Sequence, residues 1–282
     1  MRLASYAHRG RPSFGAVVDD GVVDLRPRLH RYQTLSEVFR AQALDQAKAA
    51  ATGVRPDLKL GEVELLPPLP TPEKILCIGI NYANRNKDYD VADVPKYPSM
   101  FYRAPASMVG AGQHLVRPKI SEQLDYEGEI AIVIGRDCKH VPKERARDVI
   151  AGLTLCNEGT IRDWTRHGRF NVTQGKNFDA TGAVGPWIET DFDLGKPLHL
   201  VVRKNGEVTQ DDTTASMIFS FADIIAYTTT FMTLKAGDVI CTGTPVKTTP
   251  KTDTPDWLKP GDTIEIECPA IGVLRNTVAD ET

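Results

Sequence analysis

Cysteine is sparse in this 282-residue chain: five in all, at 77, 138, 156, 241 and 268, with no CxxC pair among them. An odd, unpaired set argues against both a disulfide framework and a zinc ribbon, and fits a reducing cytoplasm. A surplus of one charge is missing too. Lys and Arg number 34 against 37 Asp and Glu, a net charge of −3, which leaves no electrostatic footprint for nucleic acid or an anionic membrane. No apolar run approaches the ~20 residues that span a bilayer, and residues 1–9 hold no apolar core of a signal peptide. The glycine-rich turn Val109-Gly110-Ala111-Gly112-Gln113 lacks the GxGxxG spacing and the Lys-Ser/Thr ending of nucleotide loops. No repeat or low-complexity segment is present. These exclusions point to a soluble cytoplasmic protein whose partners are small molecules, with no nucleic acid and no membrane among them.

Turn and breaker residues divide the chain. Between Phe14 and Leu25 two short β runs flank Asp20-Gly21, a hairpin signal. Residues 35–51 carry Val38, Phe39, Ala41, Leu44, Ala47 and Ala51 among good helix formers, which predicts a helical stretch. Pro67, Pro68, Pro70 and Pro72 then place four prolines in six residues, too many for helix or sheet. A boundary at this stiff connector gives a small α+β domain over 1–70 and a main domain over 71–282. The main domain reads as mostly β, with a helix-like stretch at 143–151 and one amphipathic helix near 221–231. Gly237-Asp238 and Gly261-Asp262 each launch a strand, as expected of a roll or barrel being closed.

The most informative stretch is Leu124-Asp125-Tyr126-Glu127-Gly128-Glu129, running into Ile130-Ala131-Ile132-Val133-Ile134-Gly135. Its second half is a buried strand by composition. Side chains two apart on a strand share a face, so Glu127 and Glu129 emerge side by side, where their mutual repulsion calls for a cation. Gly128 between them leaves the backbone bare for close approach by a ligand or another segment. A third carboxylate, Glu158, ends the apolar run that starts at Leu153. With no Cys or His at zinc spacing nearby, an all-oxygen set suits a hard cation, Mg²⁺ first, with Mn²⁺ or Ca²⁺ behind. Such a Lewis acid is chelated by the carboxylate and keto oxygens of a 2-oxo acid and stabilises the enolate formed when a neighbouring bond breaks. Lys176 and Arg162 supply further positive charge. Taken singly, each of these residues is more often a solvated surface group; their grouping is what suggests a site.

Six motifs in order strengthen that reading: Glu127-x-Glu129, Asn157-Glu158 through Arg162-Asp163, Gly175-Lys176-Asn177-Phe178, Gly185-Pro186-Trp187, Met217-Ile218-Phe219, and the run from Gly237 to Pro245 ending Thr242-Gly243-Thr244-Pro245. Together, over about 74–278, they resemble the fumarylacetoacetate hydrolase family. The resemblance implies a mixed β (α+β) fold, the β-roll of that family, behind a small N-terminal domain, and a homodimer. It implies Mg²⁺ or Mn²⁺ held by Glu127, Glu129 and Glu158, with 2-oxo or 2,4-dioxo acids as substrates. Lys176, Arg85 and Asp88 take catalytic positions; Arg162, Thr244, Tyr102 and Arg103 take substrate-binding ones. Family activities include C–C hydrolysis of acylpyruvates, decarboxylation of oxaloacetate-like acids, and isomerisation of hydroxydienoates in aromatic catabolism.

Several positions depart from the family pattern. Many hydrolytic members read G-x-N-Y-x-x-H-x-x-E after the first core strand, where the His–Glu pair on a lid activates water; here those positions are Arg85 and Asp88. Arginine stays protonated at any working pH, so Arg85 cannot be a general base, though its planar fork suits a distal substrate carboxylate. Glu158 stands where Asp is usual, and Thr165 where Gln is common. C–C hydrolysis is what the family resemblance implies, whereas isomerisation or decarboxylation is what the missing histidine favours. His167 is the alternative base, and a catalytically silent metal- and oxo-acid-binding dimer is the reading from another class. The polar stretch 81–94 is expected to form a lid over the metal.

Overall fold

The computed structural model describes residues 1–84, 94–168, 171–248 and 255–282. Its frame is a 12-stranded sheet built around the strand Gly128–Ile134, which pairs antiparallel with Ile150–Asn157 on one side and Val239–Cys241 on the other. Every residue of this strand is buried, as its Ile- and Val-rich run requires. Alternation divides its side chains between two apolar layers. Ile130, Ile132 and Ile134 face a layer shared with a five-stranded sheet that contributes Leu200, Val202, Ile264, Ile266 and Leu274. Ala131 and Val133 face the opposite layer, filled by Leu35, Val38, Phe39 and Ala47 from the N-terminal helices. Sheets dominate, helices are few, and the fold is the mixed α+β class expected from the motifs.

Gly128 shows why the second sheet sits where it does. A Cβ added there would lie 2.2 Å from Val202 Cγ2, so the five-stranded sheet presses directly on the backbone between the two glutamates. Close approach by another chain segment is thus the use of this glycine. The Gly-Asp turns behave as expected, launching Val239–Cys241 and Thr263–Cys268.

In the N-terminal part, Arg11–Val18 and Gly21–Asp24 form the expected hairpin, turning at Asp19 with φ 51°. Arg2–His8 pairs with Gly182–Glu189, so these strands continue the main sheet. The stretch 35–51 is not one helix. It forms Leu35–Arg40 and Leu44–Ala51, broken at Gln42 with φ 55°. Gln42 Nε2 donates to Phe39 O and to Gly135 O, both at 2.8 Å, and the second bond docks the break on the residue that follows the central strand, a contact that local propensity does not record. Residues 143–149 likewise make a 3-10 run rather than an α-helix before the strand Ile150–Asn157 begins. The helix Phe221–Phe231 is present, capped by Ser220 and Asp223 in a reciprocal box. Among the described residues no helix is long and apolar enough to cross a membrane.

Candidate metal centre and active site

Strand register assembles the carboxylates. Glu127 immediately precedes the central strand and Glu129 is its second residue. Across one pairing Gly128 faces Asn157 and Glu129 faces Cys156, so the residue after Asn157 arrives beside Glu127, and the Glu158 amide donates to Glu127 O at 2.8 Å. On the other side Thr242 N donates to Ile130 O, which sets the Gly243 amide to donate to Glu129 Oε2 at 2.8 Å. One oxygen from each of Glu127, Glu129 and Glu158 thereby falls within a group spanning no more than 4.8 Å, and all three residues are buried.

Asn81 ties two distant motifs together at this corner. Its Nδ2 donates to Thr242 O at 2.7 Å and Phe219 O at 3.0 Å, while its Oδ1 accepts from Phe219 N at 2.7 Å. Gly243 is required beside it: φ is +99°, and a Cβ would meet Asn81 Cβ at 2.7 Å. Asn81 and Tyr82 are fully buried, which corrects the expectation of a lid beginning at 81. Residues 85–93, including Arg85 and Asp88, lie outside the described residues.

Charges of opposite sign alternate along the site. Lys176 Nζ lies 2.5 Å from Glu127 Oε2 and 2.6 Å from Glu158 Oε1. Burial alone would lower the lysine's pKa, but the Glu127 and Glu158 carboxylates outweigh it and hold the group at about 12, so it is a cation at any working pH. Arg162 Nη2 donates to Glu127 Oε1 at 2.6 Å and Nε to Asp125 Oδ2 at 2.9 Å, and Lys247 Nζ donates to Asp125 Oδ1 at 2.5 Å. Asp125 is buried, yet Arg162 and Lys247 keep its carboxyl below the ordinary range. Glu129 shows the opposite: burial first, then the neighbouring Glu158 carboxylate, push it well above.

A divalent ion fits this arrangement. The donors are three converging carboxylates, the chemistry of Mg²⁺ or Mn²⁺ rather than of a thiolate- or imidazole-seeking metal. The upward push on Glu129 is the mark of negative charge crowded in low dielectric. Glu158 Oε1 is buried beside Lys176 without hydrogen-bond geometry, leaving a lone pair for an ion.

The other residues singled out from sequence divide. Thr244 is buried next to this group; its Oγ1 accepts from Gln210 Nε2 at 2.9 Å, and Gln210 Oε1 accepts from Gly128 N at 3.1 Å. Arg103, expected against substrate, is instead committed to the protein. It is 2% exposed and donates to Gly159 O at 2.7 Å, Ser107 Oγ at 3.1 Å and Thr181 Oγ1 at 3.2 Å, bracing the turn after Glu158. Tyr102 is exposed, with its hydroxyl 3.8 Å from Met232 Sδ. His167 is exposed and stacks on Trp164 at 4.2 Å. Sequence reasoning gave no role to Asp125, Lys247 or Gln210. The signal for Asp125 was present, since 125, 127 and 129 share one parity; Lys247 and Gln210 carried none.

Residues 74–279 match the family model described as fumarylacetoacetate (FAA) hydrolase C-terminal. The chain belongs to the fumarylacetoacetate hydrolase family. A relative named oxaloacetate tautomerase, mitochondrial, from Homo sapiens is 34% identical over 288 residues, covering 99% of this chain and 91% of that protein. Among solved structures of the family, a probable 2-hydroxyhepta-2,4-diene-1,7-dioate isomerase from Mycobacterium abscessus is 30% identical with a TM-score of 0.81, covering 100% of both chains. Maleylpyruvate hydrolase from Sphingobium sp. SYK-6, solved with manganese(II) and pyruvate, is 26% identical with a TM-score of 0.81, again over 100% of both chains. Family members therefore include isomerases, tautomerases and hydrolases.

Proposed function

We propose that this protein is a divalent-metal-dependent enzyme that isomerises 2-oxo dicarboxylic acids through their enol forms, by proton transfer without an attacking water. The observation that carries this reading is the buried group of Glu127, Glu129 and Glu158 with Lys176 fixed between two of them. Glu127, Glu129 and Glu158 hold the ion, which when bound supplies Lewis-acid charge to the carboxylate and keto oxygens of the substrate. Lys176 sets a permanent positive charge where negative charge develops as a proton leaves the carbon beside the keto group. Thr244 Oγ1 already accepts from Gln210, so its own proton is left to orient a substrate oxygen. Arg85, unable to take a proton, grips the far carboxylate of a diacid, and Asp88, one of three aspartates between 85 and 93, carries the proton.

Relatives covering nearly the whole chain and named oxaloacetate tautomerase support this choice. Hydrolysis of a C–C bond is the second reading, favoured by the likeness to maleylpyruvate hydrolase. The family resemblance also supports a homodimer, which sedimentation checks. A panel of oxaloacetate, hydroxydienoates and acylpyruvates, assayed with Mg²⁺ and Mn²⁺, separates the readings. We expect metal-dependent enol–keto interconversion of oxaloacetate, abolished by Glu127→Gln, and a KM for diacids that Arg85→Ala raises far more than for monoacids. Acylpyruvate cleavage at about 1–10³ s⁻¹, with no acceleration of oxaloacetate interconversion, would refute the proposal.

A further inference from the structure

Lys247 is the outermost member of the charge row and touches none of the three carboxylates grouped for a metal in any contact described above. Its Nζ is bound to Asp125 Oδ1 at 2.5 Å and lies 4.0 Å from the centre of the Tyr126 ring. Asp125 is thereby shared between Lys247 and Arg162, and Arg162 in turn reaches Glu127. The Lys247 side chain is 26% exposed where Lys176 is 7% exposed, so Lys247 stands toward solvent and Lys176 at the buried end.

We infer that Lys247 tunes the charge of the site: it weakens the hold on the divalent ion and strengthens the hold on the oxo-acid anion that follows. This rests on the function proposed above. Among the described residues Asp125, Glu127, Glu129 and Glu158 face Arg162, Lys176 and Lys247, and Lys247 contributes one of the positive charges of this row. A divalent ion adds two positive charges beside this row, and the charge at 247 adds to the pull on an incoming anion. Without the charge at 247 the empty site and the loaded site would each be one unit more negative. The empty site would then draw a cation more strongly, and the loaded site would pull more weakly on an anion. Lys247 is in this sense a positioning and specificity residue: it neutralises Asp125 from the solvent side and acts on ion and substrate through the field.

The two affinities must therefore move in opposite directions. Calorimetry of Mn²⁺ binding to the metal-free protein, and of oxalate binding to the Mn²⁺-saturated protein, reads both. Lys247→Met and Lys247→Gln should bind Mn²⁺ more tightly and oxalate more weakly, each by on the order of three- to tenfold at low salt, with both differences shrinking as salt screens them. Lys247→Arg, which keeps the charge, should leave both within about twofold of wild type. A variant damaged in its fold would lose both affinities together, so opposite shifts cannot come from misfolding. If wild type binds both probes and the neutral variants shift them in the same direction, or shift neither, the inference is overturned while the functional reading stands. If wild type binds neither Mn²⁺ nor oxalate, the functional reading fails and this inference falls with it.

Discussion

Replacing Lys176 with methionine keeps most of the side chain's length and removes its charge. In the wild type Nζ sits between Glu127 Oε2 at 2.5 Å and Glu158 Oε1 at 2.6 Å, and the residue is only 5% exposed. Removing one partner of a buried ion pair costs about 3–5 kcal/mol, because the remaining charge is left uncompensated. Arg162 still contacts Glu127 in the variant, so Glu158 bears most of the loss. At roughly 2–4 °C per kcal/mol for a domain of this size, Tm in chelator should fall by about 6–20 °C. Lysine and ion share these carboxylates, so saturating Mn²⁺ should raise the variant's Tm by more than it raises the wild type's. Turnover of oxaloacetate should stay lost, since an ion on the carboxylates does not replace the cation facing the substrate. Thermal scans with chelator and with Mn²⁺, paired with turnover assays, read all three effects. A variant within about 2 °C of wild type in chelator would show that Lys176 is no electrostatic keystone, and one that keeps wild-type turnover would show that it is not the catalytic cation.

Gly128→Ala drives a Cβ to 2.2 Å from Val202 Cγ2 and should cost about 1–3 kcal/mol of overpacking, recovered in large part by adding Val202→Ala; unfolding curves in urea measure both. Arg103→Met leaves the Gly159 carbonyl without its buried donor, so it should lose on the order of 1–3 kcal/mol or more without a selective rise in KM. A stable Arg103→Met enzyme with raised KM would return Arg103 to the substrate. Burial raises the pKa of the Cys77, Cys156 and Cys268 thiols and lifts Cys138 to about 11, while the Cys156 thiol beside it raises Cys241. At pH 8 the Cys138 thiolate is therefore about one part in a thousand. The native protein should react slowly with a thiol reagent, and all five cysteines should react on unfolding; fast stoichiometric labelling of the native protein would contradict the burial.

How much was legible beforehand depends on the range over which each signal acts. Strand alternation connects residues two apart, so the paired carboxylates Glu127 and Glu129, the buried run behind them and the need for a bare residue at 128 could be read directly from the chain. Hairpin and Gly-Asp turns are equally local, and both appear where expected. The helix break at Gln42 was hidden because the bond that docks it comes from Gly135, 93 residues away. Arg103 read as a substrate residue until Gly159 and Thr181, 56 and 78 positions distant, took up its donors. Lys247 meets Asp125 across 122 positions, and nothing near it in sequence announces the pairing. Periodicity and turn chemistry are fixed between near neighbours before the chain collapses. Register, close approach and the pairing of buried charges exist only once the two sheets have closed on each other, and tertiary structure alone decides them.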